Sequence, residues 1–135
     1  MVTYALDASA LLRFLDSEAG ADEVEDILNA HLSGTHAVVV SAIHWGEVLG
    51  VIYRRNGERA LNRVLTLLGD LNLNVVPVTA ERAARAAKLK VELKIPYADA
   101  FGIELAESTP CTFVTADYDL KPAANRAEIL FLPKK

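Results

Sequence analysis

The chain has little of what usually declares a function. It has one cysteine in 135 residues, so no internal disulfide can form. That residue, Cys111, precedes an apolar run and is expected to be a small core side chain rather than a nucleophile, in a reducing compartment. The three histidines give no zinc site: His31 lies on an apolar helical stripe, His36 in a loop, and His44 has no His or Cys partner at ligand spacing. All three are read as structural or solvent-facing. There is no glycine-rich phosphate loop, no Gly-x-Ser-x-Gly elbow and no Cys-His pairing. No apolar run approaches membrane-spanning length, and no positive segment precedes the apolar stretch at residues 2–6, so neither an anchor nor a signal peptide is expected. Positive charge is not in excess either. The net charge of −4 argues against holding nucleic acid by bulk electrostatics, though not against an enzyme that acts on it.

What remains is an ordinary globular balance, 52% hydrophobic and 24% charged, over a length that suits one domain, 1–135. Five short apolar runs read as buried strands: 2–6, 37–40, 74–78, 112–115 and 128–132. Helical stripes lie between them. Ala8, Leu11, Leu12 and Leu15 make the first, and Val24, Ile27, Leu28, His31 and Leu32 the second. Trp45, Val48, Leu49, Ile52 and Tyr53 follow a helix opening at Ser41, and Leu61, Val64, Leu65 and Leu68 form a further stripe. Ala80 to Leu93 is an alanine-rich helix, and Pro96 starts another whose Phe101, Gly102, Leu105 and Ala106 share a face. Residues 117–124 read as a loop or short helix ending near Pro122. Strands alternating with helices predict an α/β fold, a central parallel sheet of about five strands covered on both faces.

Four acids stand out against this frame. Asp7 and Asp117 follow strands, while Glu47 and Asp99 ride helices near their starts. Such positions converge on one edge of a parallel sheet. Each has a plain structural explanation alone: Asp7 as a helix cap, Asp99 for the helix dipole, Asp117 as a turn residue. Glu47 is flanked by Gly46 and Gly50, which invites close approach by another backbone or a ligand. Together, carboxylates gathered without matching cations repel, and the gathering makes sense with a metal ion. Oxygen-only ligands select a hard cation, Mg²⁺ or Mn²⁺. Ser9 and Thr115, two residues from Asp7 and Asp117, are expected to bond to these carboxylates or nearby amides. Asp119 is a candidate outer ligand, reaching the metal through water. Glu104, well round its helix from Asp99, is expected on a solvated face.

The segments Leu6-Asp7-Ala8-Ser9, Ser41 to Glu47, Tyr97-Ala98-Asp99-Ala100-Phe101 and Val114-Thr115-Ala116-Asp117-Tyr118-Asp119 resemble, in order and spacing, the four acidic motifs of PIN domains. The resemblance covers essentially the whole chain, and a stand-alone PIN domain of this length is similar to the VapC toxins. It implies a cytoplasmic Mg²⁺- or Mn²⁺-dependent ribonuclease with Asp7, Glu47, Asp99 and Asp117 as metal-binding and catalytic residues. Asp7 and Asp117 would be the central ligands. It further implies an RNA substrate, a homodimer and a VapB-type antitoxin as partner. Trp45, Tyr53 and Leu67 are apolar residues suited to the dimer contact. Arg54, seven residues past Glu47 on the same helical face, and Arg13, near Asp7, are candidate phosphate contacts. The run Arg82, Arg85, Lys88, Lys90, Lys94 is read as mostly structural, with Glu81–Arg85 and Glu92–Lys88 as local pairs. The alternative readings are a catalytically silent PIN-like binding module, or a PIN nuclease of RNA processing with no antitoxin.

Overall fold

The five apolar runs become the strands of one sheet in a computed structural model that describes residues 1–135. They are β1 (Thr3–Leu6), β2 (Ala37–Ser41), β3 (Asn74–Val76), β4 (Thr112–Thr115) and β5 (Ile129–Phe131). All pair in parallel, in the order β3-β2-β1-β4-β5. The chain steps outward from β1 to β3, then returns to lay β4 on the other side of β1. The reversal therefore falls between β1 and β4, where Leu6 pairs with Val114. In open parallel sheets the crevice beyond such a reversal is where ligands bind.

Helices α1 (Ala8–Leu15), α2 (Ala21–Leu32) and α3 (Ala42–Asp70) cover one face; α4 (Ala80–Leu93) and α5 (Tyr97–Ser108) cover the other. Strand alternation decides which side chain goes where. Leu6, Val38, Val40 and Val114 join the core under α1–α3, while Ala5 and Phe113 join the core under α4 and α5. A one-residue slip of β4 would send Phe113 and Val114 to each other's layer, so the register is strongly held. Each large side chain buried here contributes roughly 1.5–3 kcal/mol. No helix is long and apolar enough to cross a membrane.

Several local expectations need correcting. The two stripes between residues 45 and 68 belong to one helix, α3, broken at Gly57 (φ 82°, ψ −171°). No atom lies within 4 Å of a Cβ built there, so glycine is needed for its backbone angle and not for space. Pro96 caps α5 and does not occupy its first turn. Leu32 and Tyr53, counted in apolar stripes, are exposed because those stripes outrun the core. Cys111 lies just before β4, only half-buried, and burial pushes its thiol up to about 11, which suits no nucleophile.

Glu104 is the largest departure. It is 2% exposed, not solvated. Arg82 Nη1 donates to both its oxygens at 2.8 and 3.1 Å, and Arg85 Nε donates at 2.9 Å. Arg82 Nη1 also reaches Ser108 Oγ at 3.0 Å. Helix α4 lies along α5 and brings both guanidiniums over Glu104, so the local Glu81–Arg85 and Glu92–Lys88 pairs do not form. The structural role expected of this basic run holds for these two arginines, with a different partner.

Candidate metal centre

Asp7 leaves the end of β1 and immediately caps α1. Its Oδ1 accepts from Ala10 N at 2.9 Å and from Ser9 Oγ at 2.6 Å, and its Oδ2 accepts from Thr115 Oγ at 2.5 Å. The two hydroxyls also tie the neighbouring strand: Ala116 N donates to Ser9 Oγ at 2.9 Å and Asp117 N to Thr115 Oγ at 3.0 Å. Ser9 and Thr115 thus fix one acid and the backbone carrying another. A carboxylate offers about four lone-pair sites, so Asp7, 3% exposed, keeps roughly one free, held in a set direction. Burial pushes its pKa up, opposed by the electrostatic pull of His44 and by the bonds from Ser9, Thr115 and Ala10.

Asp117 follows β4 and caps a 3-10 turn, Tyr118–Ala123, accepting from Asp119 N at 2.9 Å. Asp99 sits in the first turn of α5. Its carboxyl is lifted to about 7, first by burial, then by Asp117, Asp7 and Glu47 in that order, and by a hydrogen bond with Asp117. Glu47 is the most open of the four, its side chain 45% exposed on α3. None of the four pairs with Lys or Arg; the nearest cationic candidate is His44, whose Nε2 is 4.0 Å from Glu47 Oε1.

The acids share one electrostatic neighbourhood but, as the side chains stand, no three of them close round a single point. Their chemistry nevertheless fits a hard dication. All donors are oxygens, one carboxyl is lifted to about 7 by burial and by the crowding of the others, and no lysine or arginine of the protein supplies the missing positive charge. A surface concavity of about 590 Å³ lies at the opposite end of the sheet, lined by residues such as Val2, Pro110, Cys111 and Arg126, and none of the four acids touches it. Charge, not cavity size, marks the site.

The other candidates separate. Asp119 is exposed and contributes only its amide to Asp117. Arg54 is exposed and without an ion pair, while Arg55 is held by Asp16 at 3.0 Å. Arg59 and Arg63 lie beyond the Gly57 break, removed from the half of α3 that carries Glu47. Arg13 is not at the crevice. It sits in the last turn of α1, and its Nη1 donates to the carbonyls of Ala19 and Pro133, the latter at 2.9 Å. No atom lies within 4 Å of a Cβ built on Gly46 or Gly50, so nothing in this chain uses the room beside Glu47. Two features went unread in the sequence. His44 is buried at the site's edge, signalled only by its place one turn before Glu47. Lys121 and Lys134 lie 5.3 and 4.8 Å from the ring of Tyr118, the residue between Asp117 and Asp119.

Comparison with known proteins bears on the fold. Among solved structures, VapBC2 from Rickettsia felis, bound to a DNA fragment from its promoter, superposes with a TM-score of 0.76 at 15% identity, covering 98% of this chain and 100% of that one. FitAcB from Neisseria gonorrhoeae gives 0.72 at 20% identity, with 94% and 96% covered. Mycobacterium tuberculosis VapC20, a toxin that cleaves the sarcin–ricin loop, gives 0.68 at 18%, with 96% and 99% covered. At such identities these likenesses speak for the fold. No curated protein matches the sequence. The PIN domain family model matches residues 4–126, from the second residue of β1 to beyond the turn that follows Asp117, and the chain belongs to the PIN-domain family.

Proposed function

We propose that this protein is a Mg²⁺- or Mn²⁺-dependent endoribonuclease, the toxin of a VapBC-type pair. The observation that carries the reading is Asp99, lifted to about 7 by burial and three neighbouring acids that no lysine or arginine neutralises. Asp7, Asp99, Asp117 and Glu47 would hold the ion, which when bound supplies a water of lowered pKa and offsets charge developing on the phosphorus oxygens. Asp7 would contribute one oriented lone pair, and Asp117, which follows the adjacent strand and hydrogen-bonds with Asp99, would join it. Glu47, the most exposed acid, is the group to accept a proton from attacking water. Arg54, roughly 10 Å along α3 from Glu47, and the Lys121–Tyr118–Lys134 cluster would guide the RNA backbone.

The VapBC complexes among the structural neighbours support a VapB-type antitoxin as partner. Crowded carboxylates offer such a partner a handle, since one guanidinium can bridge two of them. Exposed apolar side chains on α3, Tyr53 at 55% and Leu67 at 41%, with Trp45 half-buried, support a homodimer, and the lone half-buried thiol suits the cytoplasm. Mn²⁺-dependent cleavage of RNA tests the reading. Asp7→Asn should cost on the order of 10³-fold in kcat while the fold persists, because Asn keeps the oxygen that caps α1. Wild-type turnover by that variant would refute the assignment. Metal binding without any cleavage would leave the silent PIN-like module.

A further inference from the structure

His44 is a polar side chain kept in an apolar place. It is 1% exposed, with its ring 6.3 Å from that of Phe113. Its Nε2 lies 3.0 Å from the carbonyl oxygen of Ala98. A carbonyl only accepts, so Nε2 carries a proton and donates it here. The other ring nitrogen, Nδ1, is buried and has no partner. A buried polar atom without a partner lowers stability, and an apolar side chain of similar size would fill the same space without that cost. Packing therefore does not account for a histidine here. The donor at Nε2 does.

The recipient of that bond shows what it achieves. Ala98 is in the first turn of α5, immediately before Asp99, and His44 is in the first turn of α3, three residues before Glu47. This is the one hydrogen bond joining α3 to α5. The neighbouring packing is equally close. A Cβ on Gly102 would stand 2.4 Å from two atoms of the Phe113 ring and 3.1 Å from His44 Cε1, so α5 rests directly on both rings. Phe113 belongs to β4, the strand that leads to Asp117. One buried side chain of α3, the helix of Glu47, thus meets both α5, which carries Asp99, and β4, which leads to Asp117.

We propose that His44 is a positioning residue: its Nε2–H holds the first turn of α5 to α3 and so sets the separation of Asp99 and Glu47 at which a divalent cation is bound. The inference rests on the metal-nuclease reading above. It accounts for the orphaned Nδ1, because the imidazole that supplies the Nε2–H brings Nδ1 with it.

The test compares His44→Gln with His44→Met. The two side chains have the same length, but only glutamine places an N–H near the position of Nε2. Both should fold, with His44→Met melting no lower than His44→Gln since it buries no polar atom. Mn²⁺ alone, titrated calorimetrically, should bind His44→Met about tenfold more weakly than wild type, and His44→Gln within threefold of it. RNA cleavage should follow the same order in kcat, with KM for RNA within twofold throughout. Equal Mn²⁺ affinity in all three proteins would overturn the proposal, as would equal loss in both variants, which would make the ring's shape and not its donor the point. Failure of both variants to fold would also overturn it, reducing His44 to a core residue. Should wild type neither bind Mn²⁺ nor cleave RNA, the functional reading fails separately. Amide exchange then decides the brace alone: faster at 99–102 in His44→Met but not in His44→Gln supports it, and equal rates refute it.

Discussion

Helix α5 carries two shielded carboxylates and treats them in opposite ways. Glu104 is 2% exposed and receives three donor bonds from Arg82 and Arg85 on α4. Asp99, one and a half turns earlier, is answered only by other acids, and its carboxyl is lifted to about 7. Where a buried charge serves the fold, the protein supplies its own cation. Where it supplies none, the charge deficit is left to be met from outside. The same contrast separates Arg13, whose guanidinium is spent on two backbone carbonyls, from Arg54, exposed and unpaired. Under the proposed function, this difference divides structural from functional charge more clearly than burial does, since Asp7 and Glu104 are almost equally buried.

The sharpest way to break the comparison is to remove each carboxylate in turn without metal. Glu104→Ala should cost about 2 kcal/mol, less than for a fully buried pair because Arg82 and Arg85 remain partly in water. Asp99→Asn should stabilise the metal-free protein by about 1 kcal/mol at neutral pH, since it removes one of several mutually repelling charges on a group partly open to solvent. Chemical denaturation of both variants reads this directly. Destabilisation by both would mean that α5 carries two structural acids.

The next expectation concerns pH. Asp99 has a folded value of about 7 against about 3.9 in the unfolded chain, so between these the native state holds a proton that the unfolded state has lost. Metal-free stability should therefore fall as pH rises from about 4 to about 7, by roughly 1–2 kcal/mol after allowance for solvent screening, and level off above. Burial shifts Asp7 in the same direction. Asp99→Asn should make the profile shallower. A wild-type curve that rises through this interval would contradict the crowding.

The smallest effects separate the two arginines. Arg13→Ala should lose about 1 kcal/mol of stability by releasing residues 133–135 from α1, with cleavage within twofold of wild type. Arg54→Ala should raise KM for RNA a few-fold, roughly 1 kcal/mol of binding, and leave the melting temperature unchanged. The reverse assignment would show that hydrogen bonding in the free protein does not mark which cations meet substrate.

Much of this was legible in the chain. Each strand is a short apolar run, and an acid directly after such a run, as with Asp7 and Asp117, must emerge at the sheet's carboxyl edge. Ser9 and Thr115 were readable because their bonds to Asp7 and to the Asp117 amide span neighbours in sequence or across one strand pair. What escaped depends on distant segments. Nothing near Glu104 reveals that α4 will lay two arginines across it, and nothing near Arg13 reveals that Pro133 folds back against α1. Helical periodicity also passes over Gly57, because apolar spacing on either side is regular while the backbone between them is not. His44 looked inert for a similar reason: its partner is a main-chain carbonyl 54 residues away, which no side-chain motif encodes.

The most direct test of the central claim is calorimetric titration of Mn²⁺ at pH 7 in buffers of different ionisation enthalpy. With Asp99 near half-protonated at that pH, it should release about half a proton per bound ion, and the release should shrink by that amount in Asp99→Asn. Binding that releases no proton and is indifferent to Asp99→Asn, or no binding at millimolar Mn²⁺, would contradict the claim that this crevice of uncompensated acids is built to hold a metal ion.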